Sequence, residues 1–308
     1  MSILKLTPAC KDYLWGGDKL RTDFGVQSAL HPLAEAWVLS CHPDGPSVLA
    51  CGPDAGQTLP DYLRANPGAL GTACAKFENF PVLVKLIDAK GDLSIQVHPS
   101  DAYALEHEHQ YGKTEMWYIL DAEPGAFLYY GFDREISAEE FARRIADNTL
   151  TEVLYAAPVH KGDVFFIPSG TLHAICKGIV LAEIQQNSNV TYRVYDYGRV
   201  GADGKPRALH IDKALAVTAR TPVRRDFDFG DHLARCDYFT VDVREGAFTG
   251  RAGAESFVSL LLVDGEGVLR CGGESVPAAK GDSFFLPAGS GAFAMIGSAK
   301  VILTTIGG

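Results

Sequence analysis

Gly162–Gly170 reads GDVFFIPSG and Gly281–Gly289 reads GDSFFLPAG, with six of nine positions identical. Any two hairpins can share a Gly-Asp or a Pro-x-Gly turn. Turn, strand and turn residues in one order across nine positions instead mark a repeated supersecondary unit. Other runs rich in β-branched and aromatic residues are bounded by Gly, Pro, Asp or Ser: VLVKLIDA, LSIQVH, MWYIL, AFLYYGF, VFFIP and IVLAEIQQ. The pattern predicts a mainly β chain with two barrel or jelly-roll domains and a small helical segment. Helix is expected over TLPDYLRA (58–65) and over ISAEEFARRIADNTLTEVLYAA (136–157), where Ser137 and Glu140 stand at capping-box spacing. The 308 residues divide naturally at 216/217, because the stretch Val217–Asp237 is polar and charged enough to serve as a connection.

A net charge of −10 argues against a nucleic-acid partner, since phosphate backbones select basic faces. A small anionic substrate stays allowed, because a local cationic pocket overrides the global sign. No run approaches the roughly 18 apolar residues that span a membrane, and the start MSILKLTPACKDYLW has no apolar signal core. A soluble cytoplasmic protein is the expectation. Seven cysteines without a C-x-x-C fit reduced thiols better than a disulfide framework. Oligomeric state is left open.

Gln96-Val97-His98 lies on a predicted strand, where period two puts Gln96 and His98 on one face. Glu115 follows 17 residues after His98 and opens the run MWYIL, so a neighbouring strand can bring its carboxylate to that face. His173 follows the Pro168-Ser169-Gly170 turn that ends VFFI. Two imidazoles, an amide oxygen and a carboxylate suit a catalytic zinc with one position open. By formal count such a site carries about +1, which favours polarising a carbonyl. A lone Gln-x-His is weak evidence by itself, but the Gly-Asp…Pro-x-Gly…His order of the first repeat is similar to cupins and strengthens it. The second repeat has Ala292 where the first has His173, so it is read as support or oligomer surface. Glu106-His107-Glu108-His109 looks metal-rich but reads as a solvated polar face. His31, His42, His160, His210 and His232 lack ligand-spaced partners.

LSIQVHPSD (93–101), YGKTEMWYIL (111–120), GDVFFIPSGTLHAI (162–175) and NSNVTYRVYDYGR (187–199) resemble four segments of the type I mannose-6-phosphate isomerases, in their short bacterial form. PACKDYLWGG and AEAWVLSCHPDGPSVL resemble the same family. The resemblance is specific to about Asp212 and weaker beyond it. It implies a catalytic cupin domain over 1–216, with an N-terminal extension and a helical insertion, and a degenerate cupin domain over 217–308. It implies one zinc per chain on Gln96, His98, Glu115 and His173, and interconversion of mannose 6-phosphate and fructose 6-phosphate. Arg193 matches the catalytic arginine of the family and Lys113 a lysine near the substrate. Asn189 departs from the pattern, since many members carry an aspartate there, so a lower rate or a shifted substrate preference follows.

The residues alone also allow plainer roles. Arg193 pairs readily with Asp196, Lys113 suits a solvent-facing position, and Trp15 and Trp117 suit a core. Ser40 and Lys85 are further candidates for lining the pocket. An aldose–ketose isomerase must stabilise a cis-enediolate and needs a base: a zinc-bound water, an unligated histidine or a desolvated Lys113. The competing activities are another sugar-phosphate isomerase or epimerase and a non-catalytic sensor.

Overall fold

Strand-forming runs of four to eight residues dominate the chain, and the computed structural model, which describes residues 2–197, 199–200 and 204–307, pairs them into several open sheets rather than closed barrels. Two compact units result, and neither is a single run of sequence.

The first unit comprises Met1–Asp12, Asp18–Leu86 and Asp228–Gly308. Its seven-stranded sheet runs Ala234–Arg235, Thr240–Glu245, Lys300–Thr305, Val258–Asp264, Ser283–Leu286, Leu4–Thr7, Val48–Leu49. The N-terminal strand is thus built into the C-terminal sheet, with Leu4 opposite Phe285 and Leu6 opposite Ser283. A four-stranded sheet contributes Leu269, Phe293 and Met295 to the core that Leu260, Leu262, Phe284 and Val301 enter from the larger one. Alternation along each strand supplies this apolar face.

The second unit comprises Tyr13–Gly17 and Ile87–Phe227. Its five-stranded sheet runs Tyr192–Tyr195, Ile95–Val97, His173–Ile175, Phe127–Phe132, Leu154–Pro158. One face of it packs on the helices Ala138–Ala146 and Ile211–Val217, through Ile95, Val97, Ala174, Tyr192 and Val194 on the strands and Phe141 and Ala214 on the helices. Three further strands of the unit pair as Val164–Ile167, Glu115–Ala122, Ile179–Gln186.

Ser137 caps its helix as expected, accepting from Glu140 N (3.0 Å), and Thr58 caps the other, accepting from Asp61 N (3.3 Å). The second helix stops at Ala146, however, and does not run on to Ala157. Asn148 takes a left-handed φ of 54°, which breaks the helical ladder. Leu154–Pro158 then pairs as a strand with Phe127–Phe132. All seven cysteines are free, and no helix among the described residues is long and apolar enough to cross a membrane.

The repeat is real at the level of hydrogen bonds. Asp163 Oδ2 accepts from His160 N at 2.7 Å, and Asp282 Oδ2 accepts from Ala279 N at 2.9 Å. Thr171 N donates to Pro168 O and Ser290 N to Pro287 O, both at 3.1 Å. Gly162 and Gly281 share positive φ values of 95° and 91°. A Cβ on Gly162 would meet open space, whereas one on Gly281 would drive into the Phe24 carbonyl. Gly162→Ala should therefore cost only backbone strain, roughly 1–2 kcal/mol. Gly281→Ala should cost clearly more, and thermal unfolding of the two variants measures the gap. Equal losses would refute this account of the two turns.

Candidate active site

Because Ile95 and Val97 face the helices, Gln96 between them faces the other way. The register places His173 opposite Gln96 on one side and Arg193 opposite Gln96 on the other. Directly opposed residues share a face, so three neighbouring strands set His173, Gln96 and Arg193 in a row. His98 follows the strand on the same alternation. Its Nδ1 lies 2.8 Å from Val190 O, and His173 Nδ1 lies 2.9 Å from Thr171 O. A carbonyl accepts an N–H, so these bonds place each ring proton on Nδ1 and leave Nε2 as the lone-pair atom. Glu115 begins the strand Glu115–Ala122. Its Oε1 lies 3.3 Å from His173 Nε2 and its Oε2 3.8 Å from His98 Nε2.

The site is dry. His98, Glu115, His173 and Lys113 are all buried, and Glu115 Oε1 has no hydrogen-bond donor. Lys113 Nζ contacts Glu115 Oε2, lies 3.2 Å from His98 Nε2 and lies 3.5 Å from Glu183 Oε1. Burial pushes the Glu115 carboxyl up from its ordinary range while Lys113 pulls it back. Burial, helped by Lys113, holds His173 down at about 4, so its ring stays neutral near pH 7. One ligand atom from each of His98, Glu115 and His173 falls within 4.8 Å of the others. Gln96 brings its amide alongside, with Nε2 3.5 Å from His173 Nε2. A buried carboxyl with one oxygen lacking a donor, beside two Nε2 atoms each oriented through Nδ1, fits a divalent metal ion.

Five of the residues expected from sequence, Gln96, His98, Lys113, Glu115 and His173, come together, and Arg193 stands on the same sheet face. Arg193 does not take up Asp196, whose carboxylate is held by Arg199 (2.5 Å) and Arg207 (2.6 Å). Its Nη1 donates to Ala208 O at 3.0 Å, while its buried Nε has no partner. Burial and the Arg207 charge both press its pKa downward. Lys113 is buried, not solvent-facing. Trp117 is core, yet its Nε1 donates to Glu183 Oε1 at 3.0 Å and its ring meets His173 edge-on. Glu183 went unnoticed in sequence because it sits inside the apolar run IVLAEIQQ; a lone acid in such a run is the signal. Glu108 is held by Lys213 and Tyr192, away from the ligand group. In the other unit Lys85 lies 3.7 Å from Glu35, and Ser40 Oγ accepts from His42 N.

Two family models match the chain: phosphomannose isomerase type I, catalytic domain, over residues 3–123, and mannose-6-phosphate isomerase, cupin domain, over residues 230–306. The chain is 38% identical to a mannose-6-phosphate isomerase of Streptococcus mutans, across 89% of each chain. It is 37% identical to the mannose-6-phosphate isomerase ManA of Bacillus subtilis, across 96% of each. The crystal structure of the mannose 6-phosphate isomerase from Bacillus subtilis matches with a TM-score of 0.93 at 36% identity, covering 99% of both chains. A mannose 6-phosphate isomerase bound with zinc and yttrium shares the fold at a TM-score of 0.79 and 19% identity, with full coverage of both chains.

The depressed His173 has a consequence for stability. Between about pH 6.5, the ordinary histidine value, and the lowered value of about 4, the unfolded chain binds a proton that the metal-free folded chain refuses. The His173 contribution is therefore full above that window and is lost as pH drops through it, by roughly 3 kcal/mol at most. The raised Glu115 carboxyl works the other way over the same range, so the His173 share is read as the difference in melting temperature between the chelator-stripped protein and its His173→Gln variant. That difference should change across the window in the variant's favour as pH falls, and a difference independent of pH would falsify the assignment.

Proposed function

The chain belongs to the type I phosphomannose isomerase family, and we propose that it interconverts D-mannose 6-phosphate and D-fructose 6-phosphate with one zinc ion held by Gln96, His98, Glu115 and His173. The observation that carries this reading is the buried group of His98, Glu115 and His173 with Lys113 pressed against it. Zinc in that donor set supplies Lewis acidity for negative charge on a sugar oxygen.

The chain's own residues account for the rest. Opening the sugar ring exposes a carbonyl at C1, and moving a proton from C2 to C1 passes through a cis-enediolate. The N–H groups of Lys113 stabilise charge on its oxygens from a buried, held position. Glu183 is a second carboxylate on the Lys113 amine beside Glu115, and together they keep the amine in place. Arg193 clasps phosphate or enediolate oxygens with its planar fork. Arg199 and Arg207 already hold the Asp196 carboxylate, so the Arg193 charge is left over for an anionic substrate.

The same proposal assigns a cupin-type jelly roll to each repeat: a catalytic one within 1–216, with its N-terminal extension and helical insertion, and a degenerate one within 217–308. The turn bonds common to both repeats support the pair.

The test is a coupled assay for fructose 6-phosphate formed from mannose 6-phosphate, on protein stripped of metal and then resupplied with zinc. Activity should vanish and return with the ion. Lys113→Met should lower kcat by about 100-fold or more while zinc still binds. Stoichiometric zinc without turnover by the unaltered protein would favour a sensor, or an isomerase or epimerase for another sugar phosphate.

A further inference from the structure

Gly112, Lys113 and Thr114 lead into Glu115, and every main-chain N–H of this tripeptide has a defined acceptor. Gly112 N donates to Asp101 Oδ1 at 2.7 Å. Lys113 N donates to Pro99 O at 3.0 Å. Thr114 N donates to Gln186 Oε1 at 2.8 Å. The two side-chain acceptors are tied together, because Gln186 Nε2 donates to the same Asp101 Oδ1 at 2.7 Å. Gln186 also donates its own main-chain N–H to Thr114 O at 3.1 Å. A Cβ on Gly112 would lie 2.5 Å from Asp101 N and 2.6 Å from Pro99 O, so the segment is seated directly on the start of the helix Asp101–His107.

We propose that Asp101 and Gln186 are positioning residues that clamp the Gly112–Thr114 segment and thereby aim Lys113 and Glu115 at the metal and substrate. The proposal rests on the function proposed above for those two residues. Lys113 and Glu115 are two apart, so a small rotation of this segment turns both away at once. Displacing a catalytic group by about 1 Å costs up to about 100-fold in rate. A carboxyl oxygen has two lone pairs, so one Asp101 oxygen can accept from both N–H groups at once. Gln186 is buried, and its amide is the only group in the set that both accepts from the segment and donates to Asp101.

The experiment compares Asp101→Ala, Gln186→Ala, the double variant and Asp101→Asn in two readouts: zinc affinity by competition with a chelating dye, and kcat with KM for mannose 6-phosphate. Either alanine variant should weaken zinc binding about tenfold and lower kcat about tenfold, with KM within about twofold. The double variant should be little worse than either single one, because both break one clamp. Asp101→Asn keeps the acceptor oxygen and should stay within about twofold of the unaltered protein. Gln186→Met, which keeps volume and loses both bonds, replaces Gln186→Ala if that variant does not fold. Folded alanine and methionine variants with unaltered zinc affinity and kcat would overturn the clamp, and so would an Asp101→Asn loss as deep as that of Asp101→Ala. An unaltered protein that binds zinc but does not turn over mannose 6-phosphate sinks the proposed function, while the zinc titrations still decide the clamp.

Discussion

Taking a carboxylate wholly out of water costs several kcal/mol unless cations or donors meet it, and Glu115 is wholly buried with one oxygen lacking any donor. The neighbours of Glu115 follow from that demand. Lys113 contacts one oxygen, while two histidines turn their Nε2 atoms toward the pair. Main-chain carbonyls of Val190 and Thr171 fix the tautomers that make those nitrogens lone-pair atoms. A protein without use for a metal would gain by replacing this set with apolar side chains. Keeping it, at the expense of metal-free stability, fits a centre organised to receive a cation.

Period-two alternation lets one sheet serve both folding and chemistry. Ile95, Val97, Ala174, Tyr192 and Val194 bury the helix-covered face, and the residues between them are released from that duty. Antiparallel register then does the alignment, since His173, Gln96 and Arg193 stand opposite one another on three adjacent strands. No single loop has to hold the constellation. Strands hold Gln96, Glu115, His173 and Arg193, which suits a site where ligand atoms must agree to within a few tenths of an ångström.

What was legible in the sequence was legible through short-range rules. Gln96 and His98 share a strand, and two-residue spacing reveals their common face. Ser137 and Glu140 are three apart and mark a helix start. The C-terminal limit of that helix was missed because the apolar spacing of LTEVLYAA suits helix or strand, and Asn148 decides between them. Contacts across long stretches were harder. Leu4–Thr7 completes a sheet near the other end of the chain, a pairing that depends on which edge is vacant. The capture of Asp196 by Arg199 and Arg207, leaving Arg193 for other work, is likewise a choice among nearby arginines that spacing cannot rank. Glu183 was hidden because its partners Lys113 and Trp117 lie some seventy residues away.

The two copies of the repeat separate what folding needs from what chemistry needs. Each keeps a glycine at positive φ, an aspartate accepting from the residue three before it, and a Pro-x-Gly turn closed by the same bond. These are local constraints that the turns impose on both copies. The histidine position is under no such constraint. His173 is buried at the centre of the ligand group, whereas Ala292 is exposed on its strand. A strand can lose an imidazole there without disturbing a single ladder bond. The turns common to both copies therefore report on the fold, while a histidine in one copy alone is what the proposed function draws on.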